Sequence, residues 1–289
     1  MIEEIILFGA VQGAYLSLLA MGFSLVYGVG GILNLAHGAF YLLATYIFYW
    51  FFHYIPVYGM ITGIIMALIL TTIVGGLIYL GAIKPLRKTA IGVVLITFAI
   101  AFFMEQFVKV APWSDSVFHT IPFLISGTLN FFGVPFPSHY GLIIISSIIS
   151  VIIIALFIKF TKLGKDIRAV SQDIEAAQLV GINADRILMI TVMISTFLAA
   201  LAAVLYVPAD YVAPHLGWVV LLNAFAVVVL GGMGSLIGSI VGAYIIGYAT
   251  MITNYLIDPA LSSLIPIIII VIMLIFRPRG IFGKKEIRY

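Results

Sequence analysis

The sequence predicts an all-α, polytopic transmembrane helical bundle of about nine spans, with the N-terminus outside and the C-terminus cytoplasmic. Three observations carry that prediction. Of the 289 residues, 64% are hydrophobic and only 9% are charged, whereas about a quarter of a soluble domain is charged. The mean hydropathy of +1.25 is spread along the chain and not confined to one leader. Lys and Arg gather in three clusters separated by long uncharged stretches, as when basic loops are held on the cytoplasmic side.

The spans follow in order. A helix in lipid needs about 20 mostly apolar residues, because hydrocarbon offers no partner to backbone N–H and C=O groups. Such stretches lie near residues 5–28, 36–54, 57–81, 90–108, 140–158, 187–207 and 260–276. The stretch from Ile5 to Gly28 lacks a basic flank and a small-residue cleavage site, and it is too long for a leader. It is therefore expected to be a retained first span, not a signal peptide. The uncharged run from Leu216 to Ile257 is long enough for two more spans, with Gly231, Gly232 and Gly234 marking a turn or a helix break between them.

The basic clusters are Lys84, Arg87 and Lys88, then Lys159, Lys162, Lys165, Arg168 and Arg186, and finally Arg277, Arg279, Lys284, Lys285 and Arg288. The positive-inside rule makes all three cytoplasmic. Counting back puts Glu3 and Glu4 outside, and an odd number of spans agrees, since it places the two ends on opposite sides. Segment 109–139, with Pro112, Pro122, Pro135 and Pro137, is then the largest external loop, too short and turn-rich for a separate domain. Residues 1–289 are read as one transmembrane domain. A weak repeat at an offset of 204 aligns Gly28, Gly30 and Gly38-Ala39-Phe40 with Gly232, Gly234 and Gly242-Ala243-Tyr244. It has two readings: convergent close packing through glycine, or paired broken helices around a central pathway.

The one sizeable cytoplasmic loop, about 159–186, has a core from Gly164 to Asn183 built like a short amphipathic helix. Ile167, Val170, Ile174 and Ala177 recur at three- and four-residue spacing, while Arg168, Gln172, Asp173 and Glu175 lie elsewhere on the cylinder. Gly181 is placed to end it, since glycine takes the left-handed conformation without penalty. Such a helix suits docking into a groove on a cytoplasmic partner.

Within this loop Glu175-Ala176-Ala177, three residues and then Gly181 resemble the coupling motif of ABC-importer permeases, although the Ile-x-Leu-Pro tail common in many importers is absent after Gly181. Gly22 to Phe40, Arg168 to Asn183, Val228 to Ala243 and Arg277 to Gly283 look like the corresponding stretches of the branched-chain amino acid permeases of the Liv type, and the lack of long extensions is similar to the shorter of their two paired permeases. The resemblance implies a transport subunit of the cell inner membrane that is not itself an enzyme. It implies a second permease subunit in a hetero- or homodimer, two cytoplasmic ATPase subunits, an external solute-binding protein and an amino-acid substrate. It further implies ATPase-coupling roles for Arg168, Asp173, Glu175, Ala176, Ala177, Gly181 and Asn183. No cofactor, metal or nucleic acid is expected; the surrounding partner is membrane lipid.

Candidate pathway or gate residues are Asn34, His37, Gly38, Gly231, Gly232 and Gly234. Buried polar groups within a membrane are functional candidates because leaving them unpaired is costly. Asn34 and His37 read either as caps and interhelical hydrogen bonds or as direct solute contacts, and the first is favoured. Glu105 and Lys109, four residues apart, read as a local ion pair. Asp210 and Asp258, beside Pro208 and Pro259, read as turn or cap residues or as contacts to an external protein.

Other classes fit less well. A secondary transporter would carry acidic or histidine relays within its spans; apart from Glu105 and His37 there are none. The chain has no phosphate-binding loop of the Gly-x-x-x-x-Gly-Lys-Ser/Thr kind, no ligand-spaced histidine pair and no cysteine. A passive channel for a small neutral solute is the alternative, as Asn34-Leu35-Ala36 superficially resembles the half-helix motif of water channels, without its proline or second copy.

Overall fold

The computed structural model describes all residues except Pro56, Lys88, 111–118, Phe132 and 284–289. Helices cover each predicted stretch: α1 (Ile2–Gly30), α2 (His37–Tyr54), α3 (Gly59–Ile78), α5 (Ala90–Val110), α6 (Ser138–Phe160), α9 (Ala184–Tyr206), α10 (Leu216–Gly231), α11 (Leu236–Leu256), and α13 (Ile265–Phe276) after a one-turn α12 (Pro259–Ser262). Six of them are long and apolar enough to cross a membrane, counting α3 through Leu86 and α9 through Ala209; α10 and α13 are apolar but shorter. The chain is a polytopic helical membrane protein. Below α3 the helix widens into a π turn at Tyr79–Ile83 before α4 (Lys84–Leu86). Pro85 explains the widening, because its ring clashes with the carbonyl one turn back and it donates no N–H.

On the helices at the periphery, small residues face inward and large apolar ones outward. On α3, Gly59, Gly63, Ala67, Thr71 and Gly75 are buried at every fourth position, while Ile61, Ile65, Ile69, Ile73 and Leu77 are exposed. The same inversion on α5 buries Val93, Thr97, Ala101 and Glu105 and exposes Ile91, Leu95, Phe98 and Phe102. Lipid is the only solvent in which such a surface is stable, and small inner residues let backbones approach.

α1 runs through the middle and packs on α6, α9, α10 and α11. Its closest neighbour is α11: a Cβ added to Gly13 would lie 3.0 Å from the Tyr244 Cα, and one added to Gly247 would lie 2.6 Å from the Gly13 nitrogen. The main core runs the length of the bundle around Leu16, Leu19, Phe40, Tyr41, Phe48 and Ile143. A second core at the basic end joins Leu25, Val29, Tyr79, Ile83, Val93, Ile158 and Leu188.

The segment between α5 and α6, expected to be a turn-rich loop, contains an antiparallel hairpin, β1 (Thr128–Phe131) and β2 (Val134–Pro137). Turn residues hid it: Gly133 takes φ +83° at its tip, and the prolines of β2 are tolerated because this strand has a free edge. Residues 111–118, including Pro112, lie outside the described residues, as do Lys88, Lys284, Lys285 and Arg288.

Replacing Gly247 by Leu is expected to separate α1 from α11 and to destabilise the bundle by about 3 kcal/mol, seen as an earlier midpoint in denaturant unfolding of the detergent-solubilised protein. An unchanged midpoint would mean that this crossing does not hold the fold.

Candidate coupling element and pathway

The loop following α6 folds as two helices, not one. α7 (Lys162–Gln172) starts where the Thr161 hydroxyl accepts from the Gly164 N–H at 2.9 Å, and α8 (Ile174–Leu179) starts at Asp173, whose Oδ1 accepts from the Glu175 and Ala176 N–H groups at 2.9 and 3.0 Å. Asp173 is extended (φ −156°). A short carboxylate competes with the backbone for these donors and so breaks the helix that the spacing predicts. The apolar stripe survives the break: Ile167, Val170 and Ala177 are buried in the second core.

Gly181 ends α8 with φ +86°, and its N–H donates to the Gln178 carbonyl at 3.0 Å. An added Cβ there would meet nothing within 4 Å, so the glycine is needed for backbone conformation and not for clearance within this chain. Asn183 caps α9 by accepting from the Arg186 N–H at 3.0 Å. Glu175 and Ala176 are exposed, and Leu179 and Val180 at the tip are 88% and 76% exposed. Arg168 donates from its guanidinium to the Lys159 carbonyl at 3.2 Å.

Asp185 was not singled out by sequence reasoning. It sits in the first turn of α9 and pairs with Lys84, at 3.3 Å, and with Arg87. This joins the first basic cluster to the loop, so both lie at one end of the bundle. The only sequence signal was an acid directly before Arg186 within a basic loop.

The candidate pathway residues separate into joints. His37 is buried: its Nε2 lies 3.0 Å from the Leu19 carbonyl of α1 and its Nδ1 3.2 Å from the Ser195 hydroxyl of α9. Nε2–H donating and Nδ1 accepting satisfies both. Asn34 accepts the Ala36 N–H at 3.0 Å through Oδ1, while its buried Nδ2 has no partner among the described residues. Leu35 N–H donates to Thr97 of α5 at 3.2 Å. A Cβ on Gly38 would collide with the Gly217 carbonyl where α2 crosses α10. Gly231 lies against Gly238, and Gly232 (φ +103°) and Gly234 (φ +82°) turn the chain between α10 and α11. Gly28 meets Gly234, a Cβ on either lying 3.0 Å from the other's Cα, so the two glycine-rich breaks of the weak repeat touch. The segment Arg277–Gly283 folds back on this turn: Ile281 and Phe282 donate to the Leu230 and Gly231 carbonyls at 2.8 and 3.0 Å.

Glu105 forms the expected bond with Lys109, at 2.6 Å, and also accepts the Trp218 indole N–H, which pins α5 to α10. Asp258 caps α12 through Ala260 N–H at 2.7 Å. At the end opposite the basic residues a cavity of about 190 Å³ is lined by Phe8, Gln12, Tyr140, Tyr206 and Asn254 among others. Tyr206 donates to Gln12 Oε1 at 2.8 Å and stacks on Tyr15 with centroids 3.9 Å apart. Burial raises the nearby Asp210 carboxyl above its ordinary range, against the opposing pull of the Tyr211 N–H and of His215. Sequence reasoning missed this cavity because its polar residues come from four helices far apart in the chain.

A lipid-facing bundle with a compact polar elbow at one end is the architecture of a membrane permease. The chain belongs to the family described as the permease component of branched-chain amino acid transport systems, whose model matches residues 5–274, and it is a multi-pass inner-membrane transport protein. It is similar to the high-affinity branched-chain amino acid permease LivH of Salmonella typhimurium (27% identical, 96% of this chain and 94% of the relative) and of Escherichia coli (26%, with the same coverage). It is also similar to BraD of Pseudomonas aeruginosa (29%, 96% and 95%). Among solved structures, PsaBC from Streptococcus pneumoniae in complex with Fab matches with a TM-score of 0.55, 12% identity and 98% coverage of both chains, a likeness of fold.

Removing the Asp173 carboxylate in Asp173→Ala is expected to weaken α8 by about 1 kcal/mol, so that amide hydrogen exchange over residues 174–179 accelerates about fivefold. Unaltered exchange would remove Asp173 from the role of cap.

Proposed function

We propose that this chain is the membrane-spanning permease subunit of an ATP-driven importer for branched-chain or related small amino acids. Its α7–α8 elbow receives a separate cytoplasmic ATPase. One observation carries the coupling role: the elbow buries one apolar face in the second core yet leaves Leu179 and Val180 exposed beside Glu175 and Gly181. An apolar tip on a polar surface element marks a docking site. Because the same core holds the ends of α1, α3, α5, α6 and α9, a displacement of the elbow is transmitted to five helices at once.

In this reading the nine helices are nine spans, with the basic end cytoplasmic and the N-terminus outside, in one permease domain. The positive-inside rule supports the orientation. A second permease subunit completes the pore and an external binding protein delivers the amino acid. Arg168, Asp173, Glu175, Ala176, Ala177, Gly181 and Asn183 shape or present the docking surface. The glycine joints at Gly38, Gly231, Gly232 and Gly234, with His37 as the interhelical tie and Asn34 facing the break, are the places where helices shift against one another. The Gln12, Tyr206 and Asn254 cavity offers amides and phenols to a solute entering from the outside.

Gly181→Leu places a side chain on the docking tip and strains a left-handed residue by about 1 kcal/mol. In proteoliposomes containing the whole complex, amino-acid uptake is expected to fall at least about tenfold, a loss of about 1.4 kcal/mol in coupling, while membrane insertion is kept. Unchanged uptake would count against the coupling role, and nucleotide-independent conduction by the isolated chain would favour a channel.

A further inference from the structure

A crevice of about 190 Å³ opens between α6 and α11 close to the basic end. Val151 and Ile158 line one wall, Leu236 and Ile240 the other, and Met21 of α1 closes the back. Lys159 and Arg168 stand at its mouth. The bond from Arg168 to the Lys159 carbonyl holds the guanidinium beside the end of α6, and the Lys159 ammonium lies 5.2 Å from the centre of the Phe160 ring. Among the described residues, no carboxylate lies within ion-pair distance of either cation, nor of Lys162 or Lys165; the ion pairs of this end belong to Lys84, Arg87 and Asp185. Asp166, the acid nearest in sequence, takes no part in an ion pair among them.

Two cations without a carboxylate, at the mouth of an apolar slot and beside the C-terminal end of α6, complement a molecule with an anionic head and an apolar tail. We propose that this crevice binds an acidic phospholipid, with its phosphate against Lys159 and Arg168 and part of one acyl chain between α6 and α11. The guanidinium presents paired donors to phosphate oxygens and the ammonium adds a point charge. Basic pockets between spans suit such headgroups. The slot is too apolar to hold ordered water, which needs two or more polar partners, whereas an acyl chain fills it without desolvation. Arg168 belongs to α7, so the bound lipid also ties the elbow to the bundle. That last consequence rests on the coupling role proposed above; the binding itself does not.

The test uses the chain purified in mild detergent, with native mass spectrometry reading the binding of phosphatidylglycerol against phosphatidylcholine of the same acyl chains. The wild-type protein is expected to prefer phosphatidylglycerol by about tenfold or more, since each interfacial cation contributes on the order of 1 kcal/mol, or about fivefold. Lys159→Gln with Arg168→Gln should bring the preference to within about twofold, while Lys162→Gln, outside the crevice, should keep it. Ile240→Trp fills the slot with both cations in place and should weaken phosphatidylglycerol binding, which covers the case in which the double variant does not fold. Equal binding of the two lipids by the wild type, or full preference in both the double variant and Ile240→Trp, would overturn the proposal. Displacement of the lipid by millimolar inorganic phosphate would assign the cations to a free anion, and a disulfide formed between two Ile240→Cys copies under an added mild oxidant, which takes up the two thiol protons and electrons, would assign the crevice to a protein contact, the chain having no other cysteine; either result rejects the lipid. Because the readout is binding and not uptake, failure here leaves the transport role untouched, and failure of coupling leaves the lipid site untouched.

Discussion

Lipid gives no hydrophobic reward for bringing apolar helices together, so this bundle depends on backbones approaching closely enough for dispersion to hold them. Glycine makes that approach at the decisive crossings. Gly13 and Gly247 bring α1 onto α11, Gly38 and Gly217 bring α2 onto α10, and Gly28 and Gly234 join the two glycine-rich breaks. The bulky residues displaced from these faces are the ones exposed on the outside, such as Ile61 to Leu77 on α3. Small inside and large outside is the reverse of a water-soluble helix. It follows from the solvent and not from any preference of isoleucine for surfaces.

A bundle held by such contacts has few polar ties, and those present sit at joints. His37 joins α1, α2 and α9, Thr97 anchors the break after α1 to α5, and Glu105 joins α5 to α10. Each bond is stronger for want of competing water. Each also specifies one arrangement of its helices, because breaking it would leave a buried polar group unpaired.

The second core adds a mechanical feature. Ile167, Val170 and Ala177 of the elbow share it with residues of α1, α6 and α9, while the Asp185 pairs with Lys84 and Arg87 brace the end of α3 against the start of α9. An element this short would not hold its shape alone, because isolated helices of this length are marginal. It is kept folded by the spans against which it packs.

Hydropathy and charge placement determined the class of protein and the location of the long apolar helices, because the cost of unsatisfied backbone in lipid leaves little freedom over some 20 apolar residues. The position of the elbow and its glycine terminus were legible for a related reason: Gly181 and the apolar spacing are local signals. The break at Asp173 was also local, yet hidden by a periodicity that runs straight through it, since Ile167, Val170 and Ala177 face one core from two helices. What only the tertiary structure decided are the partners of residues far apart in the chain: Asp185 with Lys84, His37 with Ser195, Glu105 with Trp218, and Lys159 and Arg168 around one crevice. Such pairings depend on which helices become neighbours, and the glycine stripes of α1, α3 and α11 permit many neighbours while naming none.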